Sequence, residues 1–100
     1  MKLYLQETTD VYTIFDLYDE ELGKEVGSVE VIFDDNEIFI ENIYRSEKYR
    51  GRNYLPQVIE KLKSFQRSIR CVPCVQYRNY YEELGFTTED GEYFSLQVNT

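Results

Sequence analysis

The stretch Tyr49-Arg50-Gly51-Arg52-Asn53 sets two guanidinium groups within one short turn. Behind it, Leu55, Val58, Ile59, Leu62 and Phe65 recur at i, i+3, i+4 and i+7, the spacing of one apolar helix face. Pro56 suits the first turn of that helix, where a missing N–H is no loss. The arginines therefore stand at a helix N-terminus, where free N–H groups and the helix dipole favour phosphate. An ordinary strand-to-helix turn with solvated arginines has the same sequence. Two further pairs could do chemistry. Glu37 and Glu41 sit on a predicted strand, as candidate proton acceptors or as solvated strand-face charges. Cys71 and Cys74 form one C-x-x-C.

What is missing narrows the chemistry. With no histidine and no third cysteine, the C-x-x-C lacks the remaining ligands of a zinc site. The same absence removes every Ser-His or Cys-His nucleophile. Pro73 and the β-like Cys71-Val72 argue for a strand rather than the helix start of a redox motif. Inert packing cysteines in a reducing compartment are the expectation. The 19 acidic and 11 basic side chains leave a net charge of −8, which disfavours nucleic acid and suits a basic protein partner. The cations concentrate from Arg45 to Arg78, while the first 42 residues hold only two lysines, which points to a local anion site on an acidic chain.

These groups need a frame, and 100 residues provide one domain, 1–100. Apolar residues at 42% and aromatics at 16% argue for a folded chain. No apolar run reaches the roughly 20 residues of a membrane span, and the start turns polar too soon for a signal peptide. A cytoplasmic protein is expected, a monomer or homodimer.

Alternation and turn chemistry predict strands over Lys2–Gln6, Val11–Tyr18, Gly27–Phe33 and Glu37–Arg45, with Asp34-Asp35-Asn36 as a hairpin turn. Ile69–Val75 reads as a buried strand that the crossover helix would lay parallel to the fourth. Tyr77, Tyr80, Tyr81 and Leu84 are helically spaced, and Gly85 stands at the left-handed stop. Asp90-Gly91 predicts a hairpin between Phe86–Glu89 and Glu92–Val98. The order is β-β-β-β-α-β-α-β-β, an α+β domain on a central mixed, mostly antiparallel sheet of about six or seven strands with two helices.

Two stretches within this order resemble the GNAT (Gcn5-related N-acetyltransferase) superfamily. Ile43 to Leu62 is similar to its acetyl-CoA motif, a strand and a Tyr-Arg-Gly-rich turn before a helix. Tyr81-Glu82-Glu83-Leu84-Gly85-Phe86 is similar to its Tyr-x-x-Leu-Gly-Phe signature. The resemblance covers about residues 11–98, and implies a short, divergent GNAT-like chain. The helices usually carried between the first two strands are missing, because Gln6–Asp10 is too short to hold them.

The resemblance implies acetyl-CoA as cofactor, held by Ile43, Tyr44, Arg45, Arg50, Gly51, Arg52, Asn53, Tyr54 and Leu55. The motif's arginine falls on Arg50, and its two diphosphate-facing glycines fall on Asn53 and Leu55. Asparagine tolerates positive φ, whereas leucine adds bulk where the backbone should approach the diphosphate closely. A slight helix rotation would instead point Leu55 to the core. Tyr81 matches the tyrosine that protonates the leaving thiolate, and it could equally fill the core beside Tyr77 and Tyr80. Glu41 is the candidate base. The implied function is acetyl transfer to an amine by direct attack, with a basic protein as acceptor and without nucleic acid, membrane or metal. The alternative is a catalytically silent GNAT-like domain that works as a binding or inhibitory module.

Overall fold

Alternating apolar residues, broken by turn formers, build a four-stranded antiparallel meander in the computed structural model, which describes residues 1–49 and 51–98. The strands are β1 (Lys2–Thr8), β2 (Thr13–Asp19), β3 (Lys24–Phe33) and β4 (Glu37–Arg45). Helix α1 (Leu55–Lys63) crosses over to β5 (Ser68–Cys71), which lies parallel to β4. Helix α2 (Arg78–Glu83) then leads to β6 (Phe94–Leu96), antiparallel to β5. The six strands stand in the order β1-β2-β3-β4-β5-β6, giving the mixed α+β sheet expected. The β1–β2 connection holds no helix, as its length dictated.

The turns form where side chains make them. Gly23 takes φ 65 and its N–H bonds the Asp19 carbonyl at 2.8 Å, closing the β2–β3 turn. Asp34 N–H donates to the Glu37 carbonyl at 2.8 Å, closing β3–β4. Gly85 stops α2 at φ 100, a conformation open to glycine at little cost.

Strands run over Lys2–Thr8, Thr13–Asp19, Lys24–Phe33 and Phe94–Leu96, with ends shifted from those expected, and three further departures bear on the packing. The predicted Ile69–Val75 strand ends at Cys71, because the chain leaves β4 there and Pro73 has no N–H for a ladder. Phe86–Glu89 is not a strand: it makes a single bridge, Thr87 to Ser95. The Asp90 carboxylate instead accepts the Glu92 and Tyr93 N–H groups, and Thr88 Oγ1 accepts that of Gly91, so local side-chain bonds replace a ladder. Phe65 lies beyond the end of α1 and is partly exposed, in ring contact with Phe15 and Phe33.

The core occupies one face of the sheet. Leu17, Val29, Val31, Ile38, Ile40, Ile69, Cys71 and Phe94 supply it from the strands, with Val58, Ile59 and Leu62 from α1 and Tyr81 from α2. Both helices therefore cover the same side. No described helix is long and apolar enough to cross a membrane, and the described residues hold no cluster of three or more metal-ligating side chains.

Candidate functional site

Strands β4 and β5 pair from Glu37–Ser68 to Ile40–Cys71, and there the pairing stops. Beyond it β4 runs on through Glu41–Arg45, held by β3 on one side, while the chain after Cys71 turns away toward α2. The gap between them is a cleft of about 580 Å³. Its β4 wall is Ile40–Arg45, its far wall Cys71–Cys74 with Tyr77, Tyr80 and Tyr81, and its end the turn Gly51–Leu55.

A bulge shapes the β4 wall. Glu30 pairs Asn42 and Val31 pairs Ile40, so Glu41 is the extra residue. Such a bulge re-aims side chains and leaves backbone groups unpaired. Glu41 is exposed and lines the cleft. Opposite, Gly27 is indispensable: a Cβ there would lie 2.0 Å from the Tyr44 carbonyl oxygen. Only a glycine lets β3 approach the β4 wall so closely.

The basic turn is wound by backbone bonds from Ser46 N–H to Val26, Tyr49 N–H to Ser46 and Arg52 N–H to Tyr49. Arg45 Nη1 donates to the Arg52 carbonyl and ties the end of β4 to this turn. Its Nε is buried and has no hydrogen-bond partner among the described residues. A buried orphan donor is costly, and an anion beside it would remove the cost.

The amides at the start of α1 are less available than a glycine-rich turn would make them. Asn53 Oδ1 takes the Leu55 N–H at 3.2 Å, and Pro56 has none to offer. Leu55 is half-buried and packs against the core, as the apolar stripe required, while also lining the cleft. A diphosphate at this end would therefore meet guanidinium groups more than amides. Arg45 and Arg52 stand there; Arg50 lies outside the described residues.

Tyr81 is buried, its ring edge-on to Phe86 at 5.2 Å, and it lines the cleft. Burial pushes its hydroxyl well above the usual phenol value. The phenol therefore stays protonated at neutral pH and is a weaker acid than an exposed tyrosine. Cys71 is buried and its thiol is pushed up to about 12 by burial, an inert packing group. Cys74 is exposed on the cleft wall, contrary to the expected packing role.

Glu37 does not reach the site. It begins β4, four positions before the bulge, and pairs with Arg70 at 3.7 Å. That assignment as a candidate base is corrected, and Glu41 is the strand carboxylate in the cleft.

One pair escaped sequence reasoning. Tyr54 hydroxyl donates to Asp19 Oδ2 at 2.7 Å, while Asp19 Oδ1 accepts the Glu21 and Leu22 N–H groups. The Tyr54 bond, with these amides, holds the Asp19 carboxyl below the usual carboxylate range. This brace fixes the start of α1, and with it the basic turn, to the β2–β3 hairpin. Thirty-five residues separate the partners, and no local pattern marks them. Beside the brace lies a hollow of about 270 Å³ lined by Asp19, Glu20 and Glu21 together with Arg52.

No family model and no curated protein matches the chain in sequence. Solved structures do match. Tetrahymena Gcn5 superposes with TM-score 0.71 at 10% identity over 91% of this chain and 71% of that one. The ribosomal-protein-S18-alanine N-acetyltransferase from Escherichia coli gives 0.65 at 20% identity, over 93% and 73%. A putative GNAT acetyltransferase from Bacteroides thetaiotaomicron gives 0.66 at 18%, over 89% and 62%. The fold is a short GNAT fold. This chain spans 62% to 73% of the length of these three neighbours.

Proposed function

We propose that the chain transfers an acetyl group from acetyl-CoA to an amine by direct attack. The observation that carries this reading is the parting of β4 and β5 after Ile40 and Cys71, which leaves a strand edge facing a cleft that ends in arginines. The orphaned Nε of Arg45 supports an anion at that end. Arg45 and Arg52, with Arg50, would hold the diphosphate, and the free β4 edge from Asn42 to Tyr44 would take the amides of the pantetheine arm.

Acetyl-CoA supplies an acyl carbon activated as a thioester. The chain's own groups hold and move protons around it. The amine nitrogen bonds to the carbonyl carbon as the carbon–sulfur bond breaks. The Glu41 carboxylate takes the amine's surplus proton, directly or through one water, and the Tyr81 hydroxyl gives its proton to the departing thiolate. Unpaired β4 amides stabilise the negative charge that develops on the carbonyl oxygen. A cytoplasmic setting, where thiols stay reduced, suits both this donor and the two free cysteines.

The test is release of the CoA thiol from acetyl-CoA with a lysine-bearing peptide as acceptor. Tyr81→Phe lowers kcat about 100-fold with little change in cofactor affinity. Leu55 packing at the motif's second glycine position favours a second reading, a binding module without catalysis. Acetyl-CoA binding in the micromolar range by calorimetry supports the transferase; no heat at millimolar cofactor leaves the module.

A further inference from the structure

The sheet has a second face, and no described element covers it. Cross-strand pairs share a face, so the register writes it out in rows. Tyr4 pairs Asp16, Asp16 pairs Ser28 and Ser28 pairs Tyr44, one row across four strands. Glu7, Ile14, Glu30 and Asn42 form the next row by the same succession of pairs. None of these residues belongs to the core cluster, to which both helices contribute. Tyr4 and Tyr44 are 49% and 58% exposed.

The face is chemically specific. Glu7, Asp16 and Glu30 stand on it, and no cation among the described residues lies within salt-bridge distance of any of the three. Neutral groups orient two of these carboxylates: Tyr12 hydroxyl donates to Glu7 at 3.3 Å, and Gln6 Nε2 to Asp16 at 2.6 Å. Aromatic rings stand beside them, with Tyr4 edge-on to Tyr18 at 5.6 Å. At its far margin the same face already holds a guanidinium in this manner. Arg70 lies with its guanidinium carbon 4.3 Å from the Tyr93 ring centre and its Nη1 3.7 Å from Glu37. A ring and a carboxylate together are the usual receptor for a lysine or arginine side chain.

We propose that this open face docks a polypeptide segment rich in arginine or lysine. Charge selects that occupant over a second copy of the chain, since two molecules of net charge −8 would set carboxylate rows against carboxylate rows. Both rows end at Asn42 and Tyr44, which also line the cleft, so a docked segment leads to the cleft mouth. The docking stands without acetyl transfer. Where the proposed transfer holds, the face delivers the acceptor amine.

The test uses the full chain without acetyl-CoA and a fluorescein-labelled oligoarginine peptide as probe, read by anisotropy. Binding saturates, and Asp16→Asn with Glu30→Gln weakens it about tenfold. Tyr4→Ala, remote from the cleft, weakens it about threefold. Glu82→Gln with Glu83→Gln on exposed α2 removes the same charge and changes affinity less than twofold. Equal weakening by both double variants means attraction to net charge alone and overturns the proposal. So does the absence of saturable binding. Concentration-dependent dimers in sedimentation that Tyr4→Ala abolishes would assign the face to a second copy and also overturn it.

Discussion

The two halves of β4 are one strand of nine residues in opposite surroundings. Glu37–Ile40 has β3 on one edge and β5 on the other, and buries Ile38 and Ile40 completely or nearly so. Glu41–Arg45 keeps β3 but has lost β5, and carries a bulge, an exposed glutamate, an exposed asparagine and an arginine with an orphaned nitrogen. The first half is buried between two strands, and the second leaves hydrogen-bonding groups facing the cleft. What makes a site here is the departure of one neighbouring strand, while the scaffold on the other side stays rigid.

The sharpest way to break this comparison is at Gly27, the β3 residue facing the second half. Gly27→Ala forces a Cβ against the Tyr44 carbonyl and costs about 3 kcal/mol or more, read as a fall in the urea midpoint. Arg45→Ala acts on the ligand instead. It weakens acetyl-CoA about tenfold, roughly 1.4 kcal/mol, and moves the midpoint little, because loss of the bond to the Arg52 carbonyl is offset by removal of the orphaned Nε. Ile38→Val in the first half does the reverse, lowering stability by about 1 kcal/mol with cofactor affinity unaltered. If Arg45→Ala and Ile38→Val moved both quantities together, the division between the halves would be lost.

The smallest effect is with pH. Asp19 and Asp90 are both held below their ordinary carboxylate range, Asp19 first by the Tyr54 hydroxyl and Asp90 by the Glu92 and Tyr93 amides. Their folded values lie below the unfolded ones, so the stability they contribute is complete above about pH 4 and fades as pH falls through the folded values. Melting temperature should fall below about pH 4, and Tyr54→Phe should make that acid limb shallower.

Most of the frame was legible because it is local. The meander follows from alternation in Gly27–Phe33 and Glu37–Arg45, and the α1 stripe from its spacing. Gly23, Gly85 and Gly91 mark chain reversals with positive φ. Long-range facts were less legible. Ile69–Val75 is apolar enough for a longer strand, and only its partner's course ends it at Cys71. Leu55 looked like a defect in a glycine-rich turn, yet it serves the core and the cleft at once. The Asp19–Tyr54 brace and the Gly27–Tyr44 approach join residues far apart in the chain, so no window of sequence contains them. The rows of rings and carboxylates on the uncovered face needed the register.

The most direct measurement is amide chemical-shift mapping during titration with CoA. Shifts are expected in Asn42–Arg45 and in Gly51–Tyr54, with Glu37–Ile40 and the Glu7, Ile14 and Glu30 row unmoved. Shifts spread along all of β4, or none at millimolar CoA, would contradict this placement.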